Sequence, residues 1–227
     1  MTAKSVILVH GAWADGSSWA GVIPGLAGQG LAVTAIQMPL TSFADDVATL
    51  RRALALATPP VVLVGHSYGG AVITEAGGGD KVSALVYIAA FGPDAGESAA
   101  SVGQTVEPPP LNAEVRPDAA GFLKLTQAGV FEDFAQDLRG DEKAVLFAAQ
   151  APTNVASLGG SVTEPAWRSR PSWYLVAAED RAIPPKLQRI MAGRMVATVE
   201  EVTSSHVAML SHPDVALRLI GQAVQAR

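Results

Sequence analysis

Residues Gly65-His66-Ser67-Tyr68-Gly69 follow an apolar run at 61–64 and precede a segment of helical pattern. A serine flanked in this way, strand before and helix after, is the G-x-S-x-G nucleophile elbow. The turn is so tight that its glycine positions can carry almost no side chain. The serine sits in a strained backbone conformation with its hydroxyl pointing out of the turn. The amides that follow open a helix, whose positive end can meet a developing oxyanion. A serine hydroxyl is a weak nucleophile at neutral pH, so it needs a base within hydrogen-bond reach and a carboxylate to orient that base.

Four histidines compete for the role of base. His10 and His66 lie in tight turns beside strand ends, where a structural role is expected. His212 precedes Pro213 and reads as a capping or surface residue. His206 follows the last strand in Thr203-Ser204-Ser205-His206, on the side of the sheet where Ser67 must lie, and it completes the chain order Ser, acid, His. The acid is expected after the preceding strand, in Ala178-Glu179-Asp180-Arg181, where Asp180 is favoured and Glu179 is its rival. The alternative for Asp180 is to pair with Arg181 or cap the next helix. Two backbone donors must hold the oxyanion, each worth about 3 kcal/mol. They are expected at Tyr68, after the nucleophile, and at Ala12, in the loop His10-Gly11-Ala12-Trp13 after the first strand. No two histidines have metal-ligand spacing, and the chemistry calls for no cofactor.

Six runs rich in Val, Ile, Leu and Tyr can position these residues: Ser5–Val9, 31–36, 61–64, Val82–Ile88, Ser172–Ala177 and 196–202. Helical patterns lie between them. Ser42 can cap a helix with its stripe at Val47, Leu50, Leu54 and Leu56. Tyr68–Ala76 reads as a small-residue helix closed by Gly77-Gly78-Gly79, and 186–195 and 213–226 as two more. Strands that alternate with helices and are apolar on both faces imply a three-layer α/β fold, a mostly parallel six-stranded sheet covered on both sides.

A single domain over 1–227 is expected, with a core at 1–91 and 171–227 and a cap inserted at about 92–170. The cap opens irregularly, through Gly92-Pro93-Asp94-Ala95-Gly96 and Glu107-Pro108-Pro109-Pro110. The stretch 122–134 reads as a hairpin turning near Gly129, with helical stretches at 141–150 and near 163–167. A long insertion with structure of its own is expected to act as a lid. Its aromatic residues, Phe131 and Trp167 among them, together with Trp13 and Phe91 from core loops, are candidates for the substrate pocket. Plain packing is the alternative for each.

Nearly half of the 227 residues are apolar and 16% are charged, so the chain should fold. A net charge of −5 with no basic cluster speaks against nucleic acid or an anionic membrane surface as a partner. There is no cysteine, and no apolar run reaches the roughly 20 residues of a membrane span. A soluble cytoplasmic protein is expected. Self-association stays open.

Taken together, His10 to Trp19, the elbow 65–70, Glu179-Asp180-Arg181-Ala182-Ile183-Pro184 and Ser205-His206-Val207-Ala208-Met209-Leu210 resemble the α/β-hydrolase superfamily. Within it they are similar to the compact group of esterases and hydroxynitrile lyases. The resemblance spans nearly the whole chain apart from the cap, and it implies a six-stranded core and a Ser67–Asp180–His206 triad. Lyase members carry threonine or asparagine at the position of Gly11, and one branch has lysine at the position of Val207. The resemblance therefore implies hydrolysis of small uncharged carboxylic esters through an acyl-enzyme. Haloalkane dehalogenation would need an aspartate in place of Ser67. Other acyl transfer by the same triad (lactone opening, amide cleavage, perhydrolysis) stays open, as does a ligand-binding receptor with little turnover.

Overall fold

The computed structural model of the protein describes residues 2–226. In chain order its first half contains β1 (Ser5–Val9), α1 (Ile23–Gly28), β2 (Ala32–Ala35), α2 (Phe43–Leu56), β3 (Val61–His66), α3 (Tyr68–Ala76) and β4 (Val82–Ile88). The insertion holds α4 (Ala99–Gly103), β5 (Val115–Pro117), β6 (Phe122–Leu125), α5 (Gly140–Ala149), β7 (Thr153–Asn154) and α6 (Val155–Gly159). The chain then returns to the core with β8 (Ser172–Ala177), α7 (Pro185–Arg194), β9 (Thr198–Val202), α8 (Ala208–Ser211) and α9 (Pro213–Gln225).

Successive strand residues point to opposite faces, and here both faces are buried. Ile7 and Val9 of β1 and Val61 and Leu63 of β3 enter one core, whereas Val6, Leu8, Val62 and Val64 enter the other. Helices α2, α3 and α7 cover the first face, and α1 and α9 cover the second. The sheet runs β2-β1-β3-β4-β8-β9, and every pairing is parallel. The six-stranded, doubly covered architecture is therefore the one expected.

This order fixes where a site can form. The chain steps from β1 outward to β2, then returns to place β3 on the other side of β1. The loops leaving β1 and β3 therefore diverge and open a crevice at the carboxyl ends of those strands, where ligands bind in open α/β sheets.

Ser42 caps α2 as expected, accepting from Asp45 N. The apolar stripe is shorter than expected, because Leu56 is 90% exposed. Nine residues on from Val47 is about two and a half turns, which carries Leu56 to the opposite face. At the end of the same helix, Lys81 Nζ donates to the carbonyls of Leu54, Ala55 and Ala57. The last strand is also shorter than expected, since Val196 lies outside it with φ of +51°.

The expected hairpin at 122–134 is corrected. Only β6 is extended, and it pairs antiparallel with β5 and β7 in a separate three-stranded sheet. Gly129–Phe134 forms a π-helical turn. Val130 and Phe134, four residues apart, are both buried, which is a helical rather than an alternating period. Gly129 packs closely rather than turning a hairpin, since a Cβ there would lie 2.5 Å from Glu114 Cβ. Near 163–167 the helical stretch is a short 3-10 turn, Ala166–Arg168.

Candidate active site

Ser67 has φ of +51° and ψ of −124°, a left-handed conformation that bulky residues avoid. The turn tolerates no side chains beside it. A Cβ on Gly69 would lie 2.5 Å from the carbonyl oxygens of both Val9 and His10. Ser67 stands at the N-cap of α3, yet its side chain makes no capping bond. The amide of Tyr68 is a first-turn donor with no acceptor of its own within the helix. Its side chain is held behind the site, where the hydroxyl donates to Asp46 at 2.7 Å. Asp46 is fully buried, and burial raises its pKa.

Asp180 and His206 meet on the loops after β8 and β9. The His206 Nδ1 lies 2.7 Å from Asp180 Oδ2, and both side chains are out of solvent. Every carboxylate oxygen of Asp180 is engaged. Its Oδ1 accepts from the amides of Ala182 and Ile183, and Oδ2 also accepts from Gln188 Nε2 at 2.7 Å. Gln188 in turn donates to Ile183 O and accepts from Ala177 N, so it ties the acid to the end of β8. Arg181, the alternative partner of Asp180, pairs with Asp133 instead. The Glu179 backbone bonds elsewhere: its carbonyl accepts from Gln136 and its amide donates to Ser204 O.

The His206 ring packs against two others. The His66 ring centroid is 4.7 Å from it and that of Phe134 is 5.0 Å from it. His66 Nε2 donates to the His206 carbonyl at 3.0 Å. Burial, then the neighbouring His206 ring, holds the His66 pKa well below the usual imidazole range. His10 accepts from Met38 N through Nε2, which binds the β1 loop to the chain leaving β2. Burial lowers its pKa as well. His212 sits at the N-cap of α9 against Ser211 Oγ.

Ser67, His206, Ala12 and Tyr68 line one cavity of about 520 Å³, at the crevice between β1 and β3. Trp13 and Phe91 line it too. The remaining walls are mostly apolar, including Val106, Leu111, Leu158, Ile183 and Leu187, and Glu107 is the one acidic or basic side chain among them besides His206. Phe131 and Trp167 lie elsewhere. Phe131 faces Lys143, and Trp167 donates to Pro93 O between Arg168 and Arg194. Arg170 bonds to the carbonyls of Gly78 and Gly79.

Sequence reasoning missed Gln188 and Asp137, whose carboxylate accepts from Ser205 N. A polar residue beside the inward-facing Leu187 and Met191 of α7 was the available signal for Gln188. Asp137 reaches the site from the insertion, and no local pattern marks it; Phe134, one of the cap aromatics weighed for the pocket, packs against the His206 ring.

An elbow serine at the carboxyl end of a parallel sheet, with an acid and a histidine on later strand ends, defines the α/β-hydrolase architecture. The chain belongs to the alpha/beta hydrolase family, whose model matches residues 6–219. It is 27% identical to the alpha/beta hydrolase nvfD of Aspergillus novofumigatus, over 98% of this chain and 97% of that protein. It is 29% identical to Methylesterase 8 of Arabidopsis thaliana, over 84% of this chain and 78% of that one. Among solved structures it superposes on a pyrethroid hydrolase from Sphingobium faniae with a TM-score of 0.85, at 23% identity and 98% coverage of both chains. Among the described residues no helix is long and apolar enough to cross a membrane.

Proposed function

We propose that the protein is a serine esterase that cleaves small uncharged carboxylic esters and needs no cofactor. The observation that carries this reading is the buried Asp180–His206 pair, which opens with Ser67 onto one largely apolar cavity. His206 Nε2 takes the Ser67 hydroxyl proton as Oγ attacks the ester carbonyl. Asp180 fixes the tautomer through Nδ1 and stabilises the imidazolium. The amides of Ala12 and Tyr68 hold the oxyanion. His206 then returns the proton to the leaving alcohol, and water cleaves the acyl-enzyme by the reverse sequence.

The cavity walls favour apolar acyl or alcohol groups, and Glu107 at the wall disfavours an anionic one. The names of similar proteins accord with an ester substrate: methylesterases, a pyrethroid hydrolase and polyneuridine aldehyde esterase. A chain without cysteine suits the reducing cytoplasm. The test is labelling with a fluorophosphonate and peptide mapping, alongside turnover of p-nitrophenyl acetate. An adduct on Ser67 and loss of turnover in Ser67→Ala are expected. Undiminished turnover in Ser67→Ala overturns the reading.

A further inference from the structure

The turn that carries Ala12 is held from the insertion. Trp13, the next residue, has φ of +59°, a left-handed conformation unfavourable for so bulky a side chain. Its backbone N–H is directed away from the core sheet and must find an acceptor. That acceptor is Thr153 Oγ1, at 3.1 Å and 140 residues away in sequence. Thr153 is completely buried. The Trp13 indole N–H donates to the Leu123 carbonyl at 3.0 Å. Leu123 and Thr153 are register partners across β6 and β7. One pair of residues in the small sheet thus grips Trp13 twice, by its main chain and by its side chain.

We infer that Thr153 is a positioning residue for the oxyanion hole: its hydroxyl holds the strained Trp13 turn so that the Ala12 amide points at the reacting carbonyl. This rests on the esterase reading, in which Ala12 supplies one of the two donors. The insertion is then part of the machinery at this point and is not simply a cover. The second donor, at Tyr68, is fixed from within the core, by the elbow and by Asp46. The two halves of the hole therefore have separate supports, and one can be loosened without the other. A preorganised donor acts on the transition state far more than on the bound ester. Loss of the Thr153 oxygen should accordingly appear in kcat and leave KM in place.

The experiment compares the full chain with Thr153→Val, which keeps the shape and removes the acceptor, and with Thr153→Ser, which keeps the oxygen. Turnover of p-nitrophenyl acetate, the rate of Ser67 labelling by a fluorophosphonate, and hydrogen exchange at the Trp13 amide are measured together. For T153V we expect kcat and the labelling rate to fall about tenfold or more, KM to stay within about twofold, and the Trp13 amide to exchange faster. T153S should keep kcat within about threefold of the parent. Should T153V not fold, Thr153→Ala removes the same oxygen without added bulk and is read in the same way. A T153V protein with parental kcat overturns the assignment, even if it melts earlier. Equal losses in T153V and T153S overturn it too, because the hydroxyl would not be responsible. If Ser67 of the parent takes no label, the esterase reading itself falls and this assignment with it. Parental labelling with no change in T153V rejects the Thr153 role alone.

Discussion

His66 donates from Nε2 to the backbone carbonyl of His206 at 3.0 Å, and their ring centroids are 4.7 Å apart. The residue just before the proposed nucleophile therefore supports the residue proposed to deprotonate it. His66 does this as a neutral ring, because its burial and the nearby His206 hold its pKa well below the usual range.

That depression has a consequence for stability. In the unfolded chain His66 binds a proton below about pH 6.5, whereas in the folded chain it does not. The unfolded state then holds more protons, so stability falls as pH drops below about 6.5 and levels off above it. His10 acts in the same direction. Each can cost at most about 1.4 kcal/mol per pH unit. Burial raises the pKa of Asp46 and opposes this slope, so the histidine part is isolated by substitution. Urea midpoints at pH 7.5 and pH 5 should differ less in His66→Asn than in the parent. An unchanged difference would remove His66 from the account.

Gln188 bridges the acid to the end of β8 with both ends of its amide. Gln188→Leu would orphan two buried backbone groups, Ala177 N–H and Ile183 C=O, and take one donor from Asp180 Oδ2. At about 1–3 kcal/mol for each of the two unsatisfied groups, we expect a loss of roughly 2–6 kcal/mol in denaturant titrations. Turnover should fall as well, because Asp180 would keep only the Ala182 and Ile183 amides on Oδ1 and lose the donor that fixes Oδ2 beside His206 Nδ1. A variant as stable as the parent would mean that water replaces the amide.

What was legible in the sequence follows locality. Ser67, Asp180 and His206 each sit one loop beyond an apolar strand, so strand pattern and chain order placed all three, and the structure brings the last two together at 2.7 Å. The fold was legible for the same reason, since buried strands and amphipathic helices announce themselves within about ten residues. The insertion was not. Its register depends on pairings such as Leu123 with Thr153, between strands as short as two residues. Val130 and Phe134 gave a helical spacing that glycine at 129 masked as a turn. Thr153 and Phe134 gain meaning only from contacts with Trp13 and His206 far along the chain.

Lys81 offers a control that separates stability from chemistry. Its ammonium group caps the carboxyl end of α2 with three hydrogen bonds, on the far side of the molecule from the cavity lining. A cation at this end also meets the negative pole of the helix. Lys81→Met should cost about 0.5–2 kcal/mol and leave kcat and KM unchanged. Equal losses in stability and turnover would show that α2, through Asp46 and Tyr68, transmits strain to the elbow.

Gly11 is the position at which the lyase members of the resembling group carry a side chain, and here the geometry forbids one. A Cβ on residue 11 would lie 2.7 Å from Ser67 Cβ and 3.0 Å from His66 Nδ1. Any relief comes at the expense of the site, because Ser67 is held by the elbow and His66 by its bond to His206. Even Gly11→Ala must displace Ser67, the first-strand loop or both. Overpacking of this kind costs about 1–3 kcal/mol, which a fold of this size can absorb. A shift of about 1 Å in a reacting group can cost about a hundredfold in rate. We therefore expect G11A to fold, to lose about a hundredfold in kcat, and to label slowly at Ser67. Gly11→Thr should be worse in every respect. Full activity in G11A would mean that the loop after β1 is loose, and the oxyanion donor at Ala12 would have to be sought elsewhere.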